Sequence, residues 1–474
     1  MAHEEPEPMF GEDDLEWSEE GDSLTAGVNE QGLEDQAATA WLAAEEAYVP
    51  LDGGTGYLAV GGAGAGSIVS ELPAGAPEIS KTTAPAMVDR DEALKGDRPI
   101  FLVHRGARHA NLLPIVMGDL HHKKGQHLAI GAVANLPSVK LQKIGAFFDQ
   151  ASVAALRIAD PQCYRLDDKV LRLPPDPIGK RAFEYAPYLS PTDDPEWLHQ
   201  VIDAQRSAGA NLLLTPGRAL NPDDAQNSLD ATFREADQAL ALTDRGERIA
   251  LNLTIPARWL AVGALRNRLL DEILDQDQFD VLYVRIQWAQ TKAFAPTEDV
   301  DLLMGIRRLS NLCQDEGRAL LLPQTGLTGW FALAHGAMGY GLGVSGTDQC
   351  FAEHVFRRGR QGQQQAQRYF ERQMLHTIDS SSHDVVAQVP GYSECGCSYC
   401  PSLFDAQPWP HALSALHHIF SMGALTAHVQ EDSGRGGRHG AVRRIVATAR
   451  RWSSGLPLGP GDLPRHLSVW DQAL

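Results

Sequence analysis

The chain has 474 residues, with 61 Asp or Glu against 41 Lys or Arg and a formal net charge of −20. The excess is local: residues 1–80 hold 18 acidic and no basic residues, and the rest of the chain holds 43 acidic against 41 basic. This excludes an acidic globule that repels polyanions, because the part of the chain rich enough in apolar groups to fold is nearly neutral and has room for basic patches. No run approaches the ~18 consecutive apolar residues of a membrane helix, and the N-terminus lacks the basic start and apolar stretch of a secretory signal. The expectation is a cytoplasmic protein without membrane contact and without disulfides.

In chain order, residues 1–30 are mostly Glu, Asp, Gly, Ser and Pro, too poor in apolar groups to offset the entropy of ordering them. Trp41, Leu42, Tyr48 and Val49 stand among Ala and Glu in a pattern that fits either a transient helix or an acidic docking segment. Seven glycines between Gly53 and Gly66 follow, but no Lys-Ser/Thr accompanies them, so they read as a linker rather than a phosphate loop. Residues 1–80 are thus expected to form a disordered acidic tail with a Gly-rich linker.

The texture of a folded domain starts at Arg98, with the apolar run Ile100–Val103. His104, His109, His121, His122 and His127 come next, five histidines in 24 residues whose spacing matches no common ligand pattern, so they read as solvated or hydrogen-bonded. Strands are then expected at Ala154–Ala159, Asn211–Thr215, Ile249–Ile255, Val281–Ile286, Arg318–Leu322 and Tyr340–Val344. Between them fall helical patterns at Pro195–Ser207, Leu229–Leu242, Ala257–Leu274, Val300–Glu316 and Thr328–Ala337. Strand-helix alternation with Val, Ile and Leu on successive strand positions predicts a parallel sheet covered by helices, most simply closed as a barrel. Chemistry then belongs at the C-terminal strand ends. These carry Asp160, Thr215 with Pro216 and Gly217, Pro256, Gln287 with Trp288, Pro323 with Gln324, and Ser345 with Asp348, a polar pocket with a tryptophan able to hold a flat ring.

Of six cysteines, Cys395, Cys397 and Cys400 fall within six residues. Three thiolates at that spacing converge on one tetrahedral ion if the backbone makes a tight knuckle, with Gly396 supplying flexibility. Zinc needs a fourth ligand, for which His411, His417, His418 and His428 are candidates; a Cys397–Cys400 redox pair is the alternative.

The Cys395-Gly-Cys-Ser-Tyr-Cys400 motif resembles that of the tRNA-guanine transglycosylase family, barrels with a zinc subdomain near the end, in which the last ligand is a helical His and a His-His pair often lies between. Here His417-His418 is similar to that pair, and His428, 28 residues after Cys400, matches the last ligand, with His418 as fallback. The resemblance spans about 150–450 and extends to Gly326-Leu-Thr-Gly-Trp-Phe-Ala-Leu-Ala-His-Gly-Ala-Met-Gly-Tyr-Gly341, similar to the helix and strand that lead to the family's nucleophile. There an aspartate attacks the ribose, displaces guanine and holds the nucleic acid covalently until a 7-deazaguanine enters. This chain has Gly341 at that position, and Asp348 is the replacement candidate. The family's first barrel aspartate, an acid-base or orienting group, matches Asp160; the guanine-binding aspartate of the next strand is replaced by Thr215.

Arg357, Arg358, Arg360, Arg368 and Arg372 precede the cysteines, while Arg435, Arg438, Arg443, Arg444, Arg450 and Arg451 follow His428. Arginines bracketing a knuckle suit bidentate phosphate contacts; a solvated helix face is the other reading. The expected fold is therefore an α/β chain with a (β/α)8 TIM-type barrel over 98–350, an Arg-rich, zinc-binding subdomain over 351–455 that closes it, and a C-terminal extension over 456–474. Three functions follow. The first is exchange of guanine for a 7-deazaguanine in tRNA or DNA, using Asp160 and Asp348. The second is a non-catalytic, zinc-stabilised barrel that binds nucleic acid or serves as accessory subunit in a homo- or heterodimer. The third is an enzyme acting on a small molecule without nucleic acid.

Overall fold

Eight parallel strands alternate with helices from Ile100 to Gly343. They are β1 (Ile100–Arg105), β2 (Ala129–Asn135), β3 (Leu156–Asp160), β4 (Leu213–Leu214), β5 (Ile249–Pro256), β6 (Val281–Gln287), β7 (Ala319–Leu322) and β8 (Gly339–Gly343). The computed structural model describes residues 85–106, 109–171, 185–189, 196–289, 296–344, 349–353, 368–406 and 408–474. The acidic tail and linker expected over 1–80 lie outside the described residues, as do Ser345, Asp348, Arg357, Arg358 and Arg360.

The helices between successive strands are α1 (Leu113–Lys124), α2 (Leu141–Gln150), α3 (Trp197–Ser207), α4 (Ala225–Ala241), α5 (Gly263–Leu274), α6 (Val300–Asp315) and α7 (Gly326–Ala332). Asp299 starts α6 as its N-cap, its carboxylate accepting from the Leu302 N–H. The single helix expected over Ala257–Leu274 is two, because Val262 takes an extended conformation between Arg258–Ala261 and α5. The break lets Trp259 bury completely and donate from Nε1 to the Leu220 carbonyl.

The sheet order is β3-β2-β1-β8-β7-β6-β5-β4, with β1 paired in parallel to β8, so that β3 and β4 are left to meet. They meet through amide side chains. Asn211 Oδ1 accepts from the Arg157 N–H at 2.7 Å and its Nδ2 donates to Ala155 O at 2.9 Å, while the Asn211 N–H donates to Arg157 O. On the same stretch, buried Gln205 of α3 accepts from the Leu214 N–H and donates to Leu214 O. Side-chain amides reproduce the donor-acceptor pattern of a strand, so a two-residue β4 leaves no orphaned backbone at the seam. The result is a (β/α)8, TIM-type barrel.

Residues of one parity fill the barrel lumen: Ile100, Leu102, Val133, Ile158, Leu214 and Leu321 belong to one buried apolar cluster. Residues of the other parity, such as Phe101, Val103, Val284 and Tyr340, pack outward against the helices in the larger core. Towards the C-terminal strand ends the lumen becomes polar, with buried His104, Asp160, Asn252, Thr254, Arg285 and Gln287.

After the barrel come an antiparallel pair, β9 (Tyr369–Glu371) and β10 (His376–Ile378), then α8 (Ser380–Val386), α9 (Cys400–Phe404), α10 (His411–Glu431), α11 (Gly437–Ser453) and α12 (His466–Ala473). Helix α10 lies on α1 and on β8. A Cβ at Gly423 would stand 2.2 Å from Leu120 Cδ2, so any larger residue would have to displace that buried side chain. The buried Tyr340 hydroxyl meets Thr426 Oγ1 at 2.8 Å. The C-terminal segment is packed in as well: Trp470 of α12 is fully buried, stacks on Trp330 and donates to Thr297 O.

Candidate functional site

Cys395 and Cys397 lie in the loop before α9, Cys400 opens α9 with Pro401 after it, and His417 sits in the second turn of α10. Their ligand atoms all lie within 4.8 Å of one another. Cys397 Sγ is 3.3 Å from Cys400 Sγ and 3.4 Å from His417 Nδ1, and Cys400 Sγ is 3.1 Å from the same nitrogen. A tetrahedral ion bound ~2.3 Å from sulfur and ~2.0 Å from nitrogen sets edges of ~3.5–3.8 Å, so these three separations are slightly shorter than such an ion needs. The other ring nitrogen of His417, Nε2, donates to Phe370 O at 2.9 Å, which fixes Nδ1 as the ligating atom. Tyr369 stacks on the imidazole at 4.1 Å between centroids and 11° between planes.

The electrostatics call for a cation. Burial opposes charge on His417, yet hydrogen bonds with Cys395 and Cys397 lift its pKa to about 9, so the thiols around it favour positive charge. Hydrogen bonds from Cys397 and Cys400 lower the Cys395 thiol, while the same contacts and burial raise Cys400. Three clustered thiols cannot all ionise until positive charge joins them.

His428 is not the fourth ligand. It lies eleven residues beyond His417 on the same helix, three turns or ~16 Å away, with a 53% exposed side chain whose Nδ1 is 3.6 Å from Glu431. Three turns return it to nearly the same helix face as His417, but the expectation rested on the family's separation between the last cysteine and the histidine. His418 is on another face, stacked on Phe370 and 3.2 Å from Gln349 Nε2. Gly396 has open space where a Cβ would sit and no left-handed φ, so the knuckle does not depend on it.

At the barrel mouth, Asp160 ends β3 fully buried and pairs with Arg285 Nη2 of β6, also fully buried. Asp160 Oδ1 accepts from the Gln162 N–H at 3.0 Å. Arg285 donates from Nε to Gln324 Oε1 at 3.0 Å and from Nη1 to Thr254 Oγ1 at 3.2 Å. Gln324 is held at φ 51°, a left-handed conformation that side chains seldom adopt, and this turns its amide towards the arginine. Tyr164 and Phe351 flank the guanidinium, their ring centroids 4.7 and 5.8 Å away. Burial works against the Arg285 charge, but the Asp160 carboxylate outweighs it and holds the pKa above the usual value.

The strand-end set divides accordingly. Asp160 and Gln324 join the charged centre, and Gln287 donates to Leu171 O. Thr215, just after β4, accepts on Oγ1 from the Asn252 N–H in the middle of β5. Trp288 has the outward parity and belongs to the outer core, so it offers no ring platform. Arg285, missed in the sequence, had one signal: a lone cation in the apolar strand Val281-Leu-Tyr-Val-Arg-Ile-Gln287, at lumen parity with Tyr283.

The histidine patch does not form one cluster. His109 meets His411 at 2.8 Å, His121 meets Pro85 O, and His127 lies near Glu431. His104 is set apart from the others: it is 1% exposed in the lumen, and both ring nitrogens lack a partner among the described residues. Burial, then the Arg285 charge, push its pKa down to about 3, so the ring is neutral. Gly341, aligned with the family's nucleophile, lies beside it: a Cβ there would stand 2.5 Å from His104 Nε2.

Of the arginines named for phosphate contacts that are described, Arg443 is exposed, whereas Arg444 is committed to Asp432 at 2.8 Å. Arg368 and Arg450 likewise pair with Asp462 and Asp471. Among the described residues no helix is long and apolar enough to cross a membrane.

No family model and no curated protein matches the chain. Among solved structures it is similar to a putative fructose-1,6-biphosphate aldolase from Coccidioides immitis, at 9% identity over 72% of this chain and 90% of that one, with a TM-score of 0.31. A likeness of that size carries no argument about function.

Proposed function

We propose that this chain is a zinc-stabilised barrel of the tRNA-guanine transglycosylase type, which handles a base of tRNA or DNA at its mouth and exchanges guanine for a 7-deazaguanine. The reading is carried by one observation: a Cys3His knuckle docks through α10 on β8 of a barrel whose mouth holds the buried Asp160 carboxylate. Four protein ligands and no open position suit a structural zinc, which would tie the Cys395–Cys400 loop to α10. Asp160, with one oxygen on Arg285 and the other on a backbone N–H, is suited to orienting a base or stabilising developing positive charge rather than carrying a proton. Nucleophilic attack on the sugar falls to Asp348, since Gly341 offers no side chain. A base in a duplex would first be flipped out, or be presented in a loop.

A second reading, a nucleic-acid-binding or accessory subunit in a homo- or heterodimer, is favoured by Gly341, where the His104 imidazole occupies the place of a side chain. Incubation with radiolabelled guanine and total tRNA or DNA separates the two. Incorporation that disappears in D348N supports exchange; binding of nucleic acid without incorporation supports the accessory reading. Loss of that binding on replacing Arg357, Arg358 and Arg360 together would support nucleic acid as the partner in either reading, and zinc content near one per chain, measured on the same sample, tests the metal.

A further inference from the structure

The charged centre at the barrel mouth is shut off from solvent. Asp160, Thr254 and Arg285 are 0% exposed, although they stand towards the C-terminal strand ends, where barrels of this type hold their chemistry. Two rings from loops rather than strands flank the guanidinium: Tyr164, after β3, and Phe351, after β8, packed edge to face with 5.1 Å between centroids. With Leu171 and Ala219 they make a small buried apolar cluster, separate from both the lumen cluster and the outer core.

The two sides of this plug are held differently. Phe351 is fixed by backbone: its N–H donates to Gln324 O at 3.1 Å, its carbonyl accepts from the Trp288 N–H at 3.3 Å, and Ala352 forms a parallel bridge with Trp288. The Tyr164 side is a 3-10 turn, Cys163–Asp167, running into one helical turn, Asp168–Leu171, too short to be stable without outside contacts. Its start is anchored, because Cys163 is buried in the outer core and the Tyr188 hydroxyl donates to Pro161 O. Its far half hangs on side chains. Asp167 takes Arg218 as a bidentate partner at 2.6 and 2.8 Å, and accepts from the Ala219 N–H at 3.0 Å. Gln287 Nε2 donates to Leu171 O at 2.8 Å. The Asp167 and Arg218 side chains are 15% and 36% exposed, so water can take over their hydrogen bonds when they part.

We propose that residues 164–171 form a lid over Asp160 and Arg285, hinged at Cys163, latched by Asp167 to Arg218 and closing against the fixed ring of Phe351. Shut, the lid keeps water off the buried ion pair. Open, it admits a ligand to the lumen layer that holds Asp160, Thr254 and Arg285. The lid goes beyond the transglycosylase reading and does not depend on it; it needs only a mouth that takes a ligand.

The test places a thiol beneath the lid. T254C is a nearly isosteric change, and labelling of the new thiol by methyl methanethiosulfonate, followed site by site by mass spectrometry on the full-length, metal-loaded protein, reads access to the lumen. Cys313 of α6, 1% exposed in the outer core, is the internal control for opening of the whole barrel. The expected result is that the lumen thiol is labelled more slowly than an exposed one, and that adding D167N or R218Q speeds it about tenfold or more while the rate at Cys313 is unchanged. Q324C puts the thiol beside the same guanidinium should T254C not fold. Failure of D167N and R218Q to accelerate the lumen thiol relative to Cys313 overturns the lid, because access would then come only with opening of the whole barrel or by a route that the latch does not control. Labelling of the lumen thiol at the rate of an exposed one, before any latch change, overturns it as well.

Discussion

The knuckle and the lumen centre both bury charge, and they neutralise it in opposite ways. At the knuckle, three thiols are gathered around one imidazole; the thiolates repel one another when ionised, and a bound cation would offset that repulsion. In the lumen, unlike groups are gathered: Asp160 and Arg285 cancel without help, and Thr254, Gln324 and Gln162 meet their remaining hydrogen bonds. The first region thus has the donor set to take up an ion that would add to its stability. The second is complete as it stands, and its fixed dipoles are available to a substrate.

This contrast can be broken by substitution. The largest effect is expected at the knuckle, where the apparent free energy of structural zinc binding is about 10–16 kcal/mol in peptides. H417A or C397S should lose the metal and lower the melting temperature steeply, as chelation should in the wild type. H428A should keep both; metal content by mass spectrometry together with calorimetry checks this, and metal loss in H428A would undo the ligand assignment. In the lumen, R285M should destabilise by about 3–5 kcal/mol, because it leaves Asp160 buried and unpaired. The double variant D160N/R285M should regain much of that loss in denaturant titration, and failure to do so would mean that the pair's neighbours, not the pair, hold the centre together.

Smaller effects belong to the barrel seam and to pH. N211A removes two hydrogen bonds between β3 and β4 and should cost about 1–3 kcal/mol with no change in metal content. Hydrogen exchange at Arg157 and Leu212 would locate the opening. Burial pushes both His104 and His335 down to about 3 in the folded protein. A depressed folded pKa means that the unfolded chain takes up the proton first. The stability these groups contribute is therefore full above pH ~6.5 and is lost towards pH ~3, by up to about 1.4 kcal/mol per pH unit for each group. H104F should flatten that slope by one group's share.

What could be read in the chain beforehand follows the same division. Cys395, Cys397 and Cys400 fall within six residues, so their convergence is a local property of the backbone and the motif announces it. The fourth ligand is not local in the same sense. His417 and His428 share a helix face, and only the placement of α10 against β9, with Phe370 O on Nε2, decides between them. The strands β3 and β5 to β8 were legible because parallel strands buried on both faces are continuous apolar runs. Strand β2 was not marked out: Ala129-Ile-Gly-Ala-Val-Ala-Asn135 is small-residue rich and lacks the β-branched density that signals a strand.

By itself, the sequence determined the division into an acidic stretch and a near-neutral body, the alternation that makes a barrel, and three of the four knuckle ligands, since each depends on composition, period or short spacing. Only the tertiary structure decided that Arg285 faces Asp160 across 125 positions of chain, that Asn211 and Gln205 close the seam, and that His104 fills the room left by Gly341. These are encounters between strands far apart in the chain. Barrel closure brings them together, and no local pattern of residues encodes which side chains will then meet.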